Sequence, residues 1–238
     1  MKDVLVKKDP KSAEIIRPIL RGRDIKRYKF IFKDLFLICT FPSLKINIED
    51  YPVIKQHLLS FGKDRLEQSG TEFYKNGVKI SSRKKTQNKW YETQDTIAYW
   101  EDFNEQKIVY KDISQRLAFA LAEPKFMINN TAYFISNHPN LLYLLGILNS
   151  DLIDWYYRTI SVQLGEKAVR MFTIYVNQLP IPKLIFENTQ EISNLSVKAS
   201  NTNISCQERI NIIRELELSI HNIYELTDKE KSLIANLK

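Results

Sequence analysis

Residues 141–157 read LLYLLGILNSDLIDWYY, and this run restricts the fold more than any other part of the chain. Wound into a helix, it is apolar on nearly every side, so it has no face to give to water and must be enclosed. Asn137 is suited to cap it and Pro139 to occupy its first turn. With 238 residues, 44% of them hydrophobic, the chain is long enough for one large domain or two modest ones with a proper core. A folded, soluble protein is expected.

Around that helix the pattern suggests a sheet. YKFIFKDLFLICTFP (28–42) alternates and then becomes continuously apolar, which suits one or two strands. KIVYKDIS (107–114), LAFALAE (117–123) and FMINNTAYFIS (126–136) read as short strands, with Asn129-Asn130 as a turn. MFTIYVNQLPIPKLIF (171–186) reads as strand until Pro180 and Pro182. Ile48 to Leu66 has helical spacing through Val53, Ile54, Leu58 and Leu59, interrupted at Gly62. After Gly70 the periodicity disappears for about twenty residues, a length at which a loop is usually functional or disordered.

The composition changes after Glu187. Ser205-Cys206-Gln207-Glu208 and Thr227-Asp228-Lys229-Glu230 have the S/T-x-x-E spacing of a helix start. Ile213, Leu216, Ile220 and Ile223 form one apolar seam between them, and 201–203 is a turn after an earlier helix around Ile192 and Leu195. The expected fold class is therefore α/β (α+β), with a mixed or antiparallel sheet and buried helices, followed by a C-terminal helical hairpin. The domain boundary is expected between 187 and 188.

Charge follows the same division. Residues 188–238 hold six Lys and Arg against seven acids, or −1, so the first 187 carry 29 against 21, or +8, of the net +7. No acid lies between Phe73 and Tyr91, where Lys75, Lys79, Arg83, Lys84, Lys85 and Lys89 all fall. A second cluster comprises Arg21, Arg23, Lys26, Arg27, Lys29 and Lys33, opposed by Asp24 and Asp34. Lysines and arginines neutralise phosphates without reading sequence. Arg forks suited to guanine and Asn or Gln amides suited to adenine read it, and Arg83, Gln87 and Asn88 are of that kind. The competing reading makes each cluster a solvated loop, with Trp90, Tyr91 and Trp100 as core.

Several chemistries lack support. With six glycines there is no G-x-G-x-x-G, Walker loop or nucleophile elbow. Cys39 and Cys206 are far apart, so neither a disulfide framework nor a zinc site is indicated, and a reducing cytosol fits. His57, His138 and His221 form no metal motif. No apolar run approaches the length of a bilayer span, and KDVLVKKDPKS after Met1 lacks a signal-peptide core, so no membrane partner is expected. The remaining catalytic alternative is a Mg²⁺-dependent nuclease using Glu105-Gln106-Lys107 with Asp95 or Asp102, although E-x-K recurs at Glu123-Pro124-Lys125.

Six ordered blocks carry a resemblance: IIRPILRGRDIKRY, YPVIKQHLLSFGKDRLEQSG, RKKTQNKWYETQDTIAYWEDFNEQKIVY, NTAYFIS, NLLYLLGILNSDLIDWYY and VNQLPIPK. From about Lys11 to Lys183 the chain resembles the TaqI-like C-terminal specificity domain of type IIG restriction-modification enzymes and related adenine-N6 DNA methyltransferases. The tail is similar to helices that follow such domains and to those of type I specificity subunits, which keeps a type I subunit as an alternative.

The resemblance implies a target recognition domain (1–187) with a helical scaffold (188–238), binding double-stranded DNA in the major groove and itself without catalysis or cofactor. S-adenosylmethionine and Mg²⁺ would belong to methyltransferase and nuclease domains, fused or supplied in trans, whose motifs this sequence lacks. The chain would then be the C-terminal piece of such an enzyme or a split gene product, and cytoplasmic. Expected phosphate contacts are Arg21, Arg23, Lys26, Arg27, Lys84, Lys85 and Lys89, and expected base contacts are Arg83, Gln87 and Asn88. In the family the RGRDIKRY block recurs with different target sites, which implies phosphate positioning or interdomain packing for it.

Overall fold

A computed structural model describes residues 1–165, 167–183 and 186–236. The chain forms two compact units, Met1–Ile19 with Asp34–Asp102 and Leu20–Lys33 with Phe103–Lys238.

In the second unit the apolar run forms two helices, Leu141–Leu148 and Asp151–Ile160, not one. The first is capped by Asn140, whose side chain accepts from the Tyr143 amide at 2.9 Å; Asn137, the expected cap, lies ahead of it with φ +60°. Tyr143 through Leu148 are all buried, as the pattern requires. The break comes from Asn149. Its buried amide group donates to the Phe119 and Leu145 carbonyls and accepts from the Phe119 amide, closing both hydrogen bonds of a strand residue. Ser150 then caps the second helix by accepting from Ile153 N.

The strand that Asn149 meets, Phe119–Ala122, pairs antiparallel with Lys107–Lys111, which pairs on its other side with Ala132–Ile135. Both faces of this sheet are covered, and alternation divides its side chains. Ile108, Tyr110, Phe119, Leu121 and Tyr133 join the helical core. Val109, Ala120, Ala122, Ala132 and Phe134 meet Leu20, Ile25, Phe30 and Phe126 in a second cluster. The expected turn at Asn129-Asn130 lies between Met127–Ile128 and Ala132–Ile135. A smaller antiparallel sheet runs Gln163–Leu164, Ala168–Arg170, Ile113–Ser114. The expected strand beyond Met171 is instead the helical turn Thr173–Val176, which places Val176 and Leu179 in the helical core. Leu184 and Ile185 lie outside the described residues.

The tail forms helices Phe186–Ser200, Cys206–Ile223 and Asp228–Ala235. Ser205 accepts from the Glu208 amide, and Thr227 and Glu230 form a complete capping box. The buried seam is Ile212, Leu216 and Ile220, with Ile213 and Ile223 partly buried beside it. Ile192, Leu195 and Ala199 share one core with Leu144, Leu145 and Ile147, so the tail is a wall of this unit and not a detachable arm.

In the first unit the core gathers Leu5, Ile15, Ile16, Ile48, Tyr51, Ile54 and Tyr91. Strand Ile16–Leu20 pairs with Phe36–Ile38, with Ile16 opposite Ile38. The expected long strand from Tyr28 is reduced to Phe36–Ile38 here and to Lys29–Phe30 in the other unit. Helices Pro52–Leu59 and Lys63–Leu66 flank Gly62, where φ is +91°. The stretch after Gly70 is not wholly irregular: Glu72–Lys75 and Val78–Ser81 form an antiparallel hairpin around Asn76-Gly77, both at positive φ. Asn-Gly is the strongest short hairpin signal, and here it marks the turn of that hairpin. No helix among the described residues is long and apolar enough to cross a membrane.

Gly146 is where the central helix and the tail touch. A Cβ there would lie 2.6 Å from Ile192 Cγ2 and 2.6 Å from Ser196 Oγ. Gly146→Ala should lose about 1–3 kcal/mol of stability through overpacking, despite alanine's better helix propensity. A denaturant midpoint equal to or above wild type would show that the contact yields freely.

Candidate nucleic-acid interface

The residues of the first basic cluster differ in how firmly they are held. Arg21 makes a bidentate pair with Asp24, at 2.8 and 3.0 Å, and that carboxylate also accepts from the Arg21 amide. The hydrogen bond from Arg21 holds the nearly buried Asp24 carboxyl below its ordinary range. Gly22 fits because its amide donates to Thr131 Oγ1 at 2.9 Å, and a Cβ would stand 2.2 Å from the Thr131 carbonyl oxygen. Arg27 is turned inward: its guanidinium donates to the Asn149 carbonyl and lies 3.4 Å from Glu217 and 3.6 Å from Asp151. Arg23 and Lys26 remain exposed. Lys111 has its pKa lowered by burial and then by the charge of Lys26.

The second strip is organised from within. Arg83 Nε donates to the Leu66 carbonyl at 2.7 Å and Nη1 to the Glu92 carbonyl at 2.9 Å, while Nη2 donates to the Trp90 carbonyl. A planar fork with five N–H groups can hold three carbonyls that a lysine could not. Burial lowers the Arg83 pKa. Gln68, buried, donates to the carbonyls of Lys89 (3.1 Å) and Glu92 (2.8 Å) and accepts from Thr86 Oγ1 (2.7 Å). Glu92 accepts from the Lys89 amide, and Asn88 Nδ2 donates to the Thr93 and Gln94 carbonyls at 2.9 and 3.0 Å. Tyr91 is core, its hydroxyl donating to the Ile46 carbonyl, and Trp90 packs edge-on against it. Lys84, Lys85, Gln87 and Lys89 are exposed.

The family model for the TaqI-like C-terminal specificity domain matches residues 17–181. The chain belongs to that family. Among solved structures, the type IIL restriction-modification enzyme MmeI, determined in complex with DNA, is similar at a TM-score of 0.61 and 15% identity, over 99% of this chain and 32% of that one. At that identity the likeness is one of fold, and the chain spans about a third of that relative's length. No curated protein matches the chain.

Elsewhere in this specificity domain Lys107, Arg116 and Arg158 are held in structural contacts. Lys107 of the E-x-K triplet is fully buried, its ammonium donating to the Phe103 (3.1 Å) and Glu105 (2.7 Å) carbonyls. It stabilises a turn instead of facing a solvent-filled site. Among the described residues no group of three or more His, Cys, Asp and Glu could hold a metal ion. A cleft of about 710 Å³ beside helix Asp151–Ile160 contains Arg116 and Arg158, which are already paired with Asp151 and Asp154.

Gln68, Glu92 and Glu217 do structural work that sequence reasoning missed. The S-x-x-E and N-G signals are local, whereas Gln68 and Glu217 also reach partners 24 and 190 positions away, in Gln68 to Glu92 and Arg27 to Glu217. Glu217 accepts from the Asp151 amide at 3.0 and 3.1 Å at the start of a helix. Burial, and then the negative Asp151, push its carboxyl up to about 7, against the opposing charge of Arg27.

Two outcomes follow from these contacts. Arg83→Lys should open the strip, speeding amide exchange between residues 67 and 92 by tenfold or more, as loss of one to two net hydrogen bonds of about 1 kcal/mol each implies. Unchanged exchange would assign the strip's order to other groups. Because Glu217 has a folded pKa above its ordinary 4.5, its stabilising protonation is complete below that value and lost as pH rises through about 7. Stability measured by urea unfolding should therefore fall from this group between pH 5 and 8, and Glu217→Gln should flatten that slope.

Proposed function

We propose that this chain is the sequence-specific duplex DNA recognition domain of a type IIG restriction endonuclease and adenine-N6 DNA methyltransferase. It would direct methylation and cleavage performed by domains outside these 238 residues, where S-adenosylmethionine and Mg²⁺ would act. Membership of the specificity-domain family over residues 17–181 carries this reading. The DNA named for MmeI, a relative in fold, supports a duplex partner, and a cytoplasmic setting accords with such a role. Residues 1–187 would contact DNA, and 188–238 would serve as helical scaffold toward the catalytic domains.

The geometry supports a revised division of roles. Lys84, Lys85, Lys89, Arg23 and Lys26 are exposed cations suited to phosphates, and Gln87 is an exposed amide suited to a base edge. Arg83 and Asn88 use their donors on main-chain carbonyls, so we assign them to shaping the loop. Arg21 and Arg27, each facing a carboxylate, are assigned to holding the fold, consistent with the packing alternative for the RGRDIKRY block.

Binding to duplex DNA should weaken steeply with salt, and Lys84→Ala or Lys85→Ala should each reduce the log–log salt slope by up to about one unit. Binding that ignores salt, or no binding even beside a methyltransferase partner, would overturn the proposal.

A further inference from the structure

The hairpin Glu72–Ser81 is an exposed two-stranded ribbon with a built pedestal. Its base is fixed: the Ser82 amide donates to the Thr71 carbonyl, Gly70 N to the Arg83 carbonyl and Arg83 N to the Glu67 carbonyl, each at 2.9 Å. The hydroxyls of Ser69, Thr71 and Ser82 bond to one another, and the Arg83 guanidinium joins the same base to the carbonyls of Leu66, Trp90 and Glu92. Toward the tip the character changes. Phe73 and Ile80, directly opposite, are half-buried, whereas Tyr74 is 73% exposed and Val78 63%.

An isolated two-stranded ribbon is marginal in water, and exposed apolar side chains at its end add no folding energy. The pedestal therefore holds in position a tip that the fold itself does not use. Charge identifies the occupant: Lys75, Lys84, Lys85 and Lys89 accompany the ribbon, and no acid lies between Phe73 and Tyr91. Glu72 at the ribbon's base pairs with Lys79 at 2.6 Å and offsets its charge, so the positive charge at the tip is that of Lys75. A major groove about 12 Å wide admits a two-stranded ribbon, and apolar and amide groups on it can meet thymine methyls and adenine edges.

Resting on the DNA-recognition reading above, we infer that this ribbon enters the major groove and that Tyr74 and Asn76 are specificity-determining residues, with Val78 as an apolar partner. The lysines of the following strip then hold the flanking phosphates. Asn76 has an independent reason to be present, since its φ of +51° suits a turn before Gly77. Glycine satisfies that turn as well, so Asn76→Gly removes the amide while keeping the backbone.

The test is selection of the 238-residue chain on a pool of random duplexes, with Tyr74→Ala, Asn76→Gly and Lys84→Ala in parallel. The inference expects each ribbon variant to keep bulk DNA affinity within about threefold and wild-type thermal unfolding, while losing preference at one or two base pairs by about tenfold or more. Lys84→Ala should weaken binding to all sequences and leave the selected sequence unchanged. If both ribbon variants select the wild-type sequence at full preference, the ribbon inference is overturned while DNA recognition stands; the same holds if they lose only a protein partner. If the wild-type chain binds no duplex even beside a methyltransferase partner, both fall.

Discussion

The hydrogen bonds of Asn149 decide the architecture of the larger unit. A seventeen-residue apolar run would continue as one enclosed helix if nothing interrupted it, with no edge on which to dock a sheet. By donating to and accepting from the main chain of Phe119, a buried amide joins the helix end to a strand edge and turns the chain. The Asn149 carbonyl freed by that turn receives Arg27, and Arg27 reaches Asp151 and Glu217. One satisfied polar group thus ties the sheet, both helices, the basic turn and the tail together. Such a network is costly to satisfy only in part.

A common division of labour between cations runs through both units. Arg21, Arg27 and Arg83 face carboxylates or main-chain carbonyls, where a planar fork with several donors serves better than a point charge. The lysines of the strip stay outside, because an ammonium is strongly hydrated and burying it is expensive. Lys107 is the exception, and it is buried with two carbonyls for partners. Net charge therefore overstates how much of the positive potential is available to a partner. In the strip, the arginine builds the support and Lys84, Lys85 and Lys89 lie at the surface.

Much of the fold was legible from local signals. Both S/T-x-x-E helix starts, the turn at Asn129-Asn130, the three short strands around Lys107 and the enclosure of the apolar helix follow from residues within a few positions of one another. Structure departs from local pattern where a distant partner overrides a local preference. Asn149 looks like any polar residue in a helix until Phe119 stands beside it, and 171–176 reads as strand until Val176 finds the helical core. The hairpin at Asn76-Gly77 is carried by a local dipeptide signal set within a run of charged residues.

The sequence by itself determined that a helix must be buried, that the positive charge lies ahead of residue 188, that the tail is helical, and, through six ordered blocks, the family. These depend on composition, periodicity and order along the chain, which need no knowledge of contacts. The tertiary structure alone decided which cations face outward. A guanidinium and an ammonium look equally available in a line of letters, and only the carbonyls of Leu66, Trp90 and Glu92, brought together by folding, turn Arg83 from a candidate reader of bases into the centre of the loop that carries the lysines.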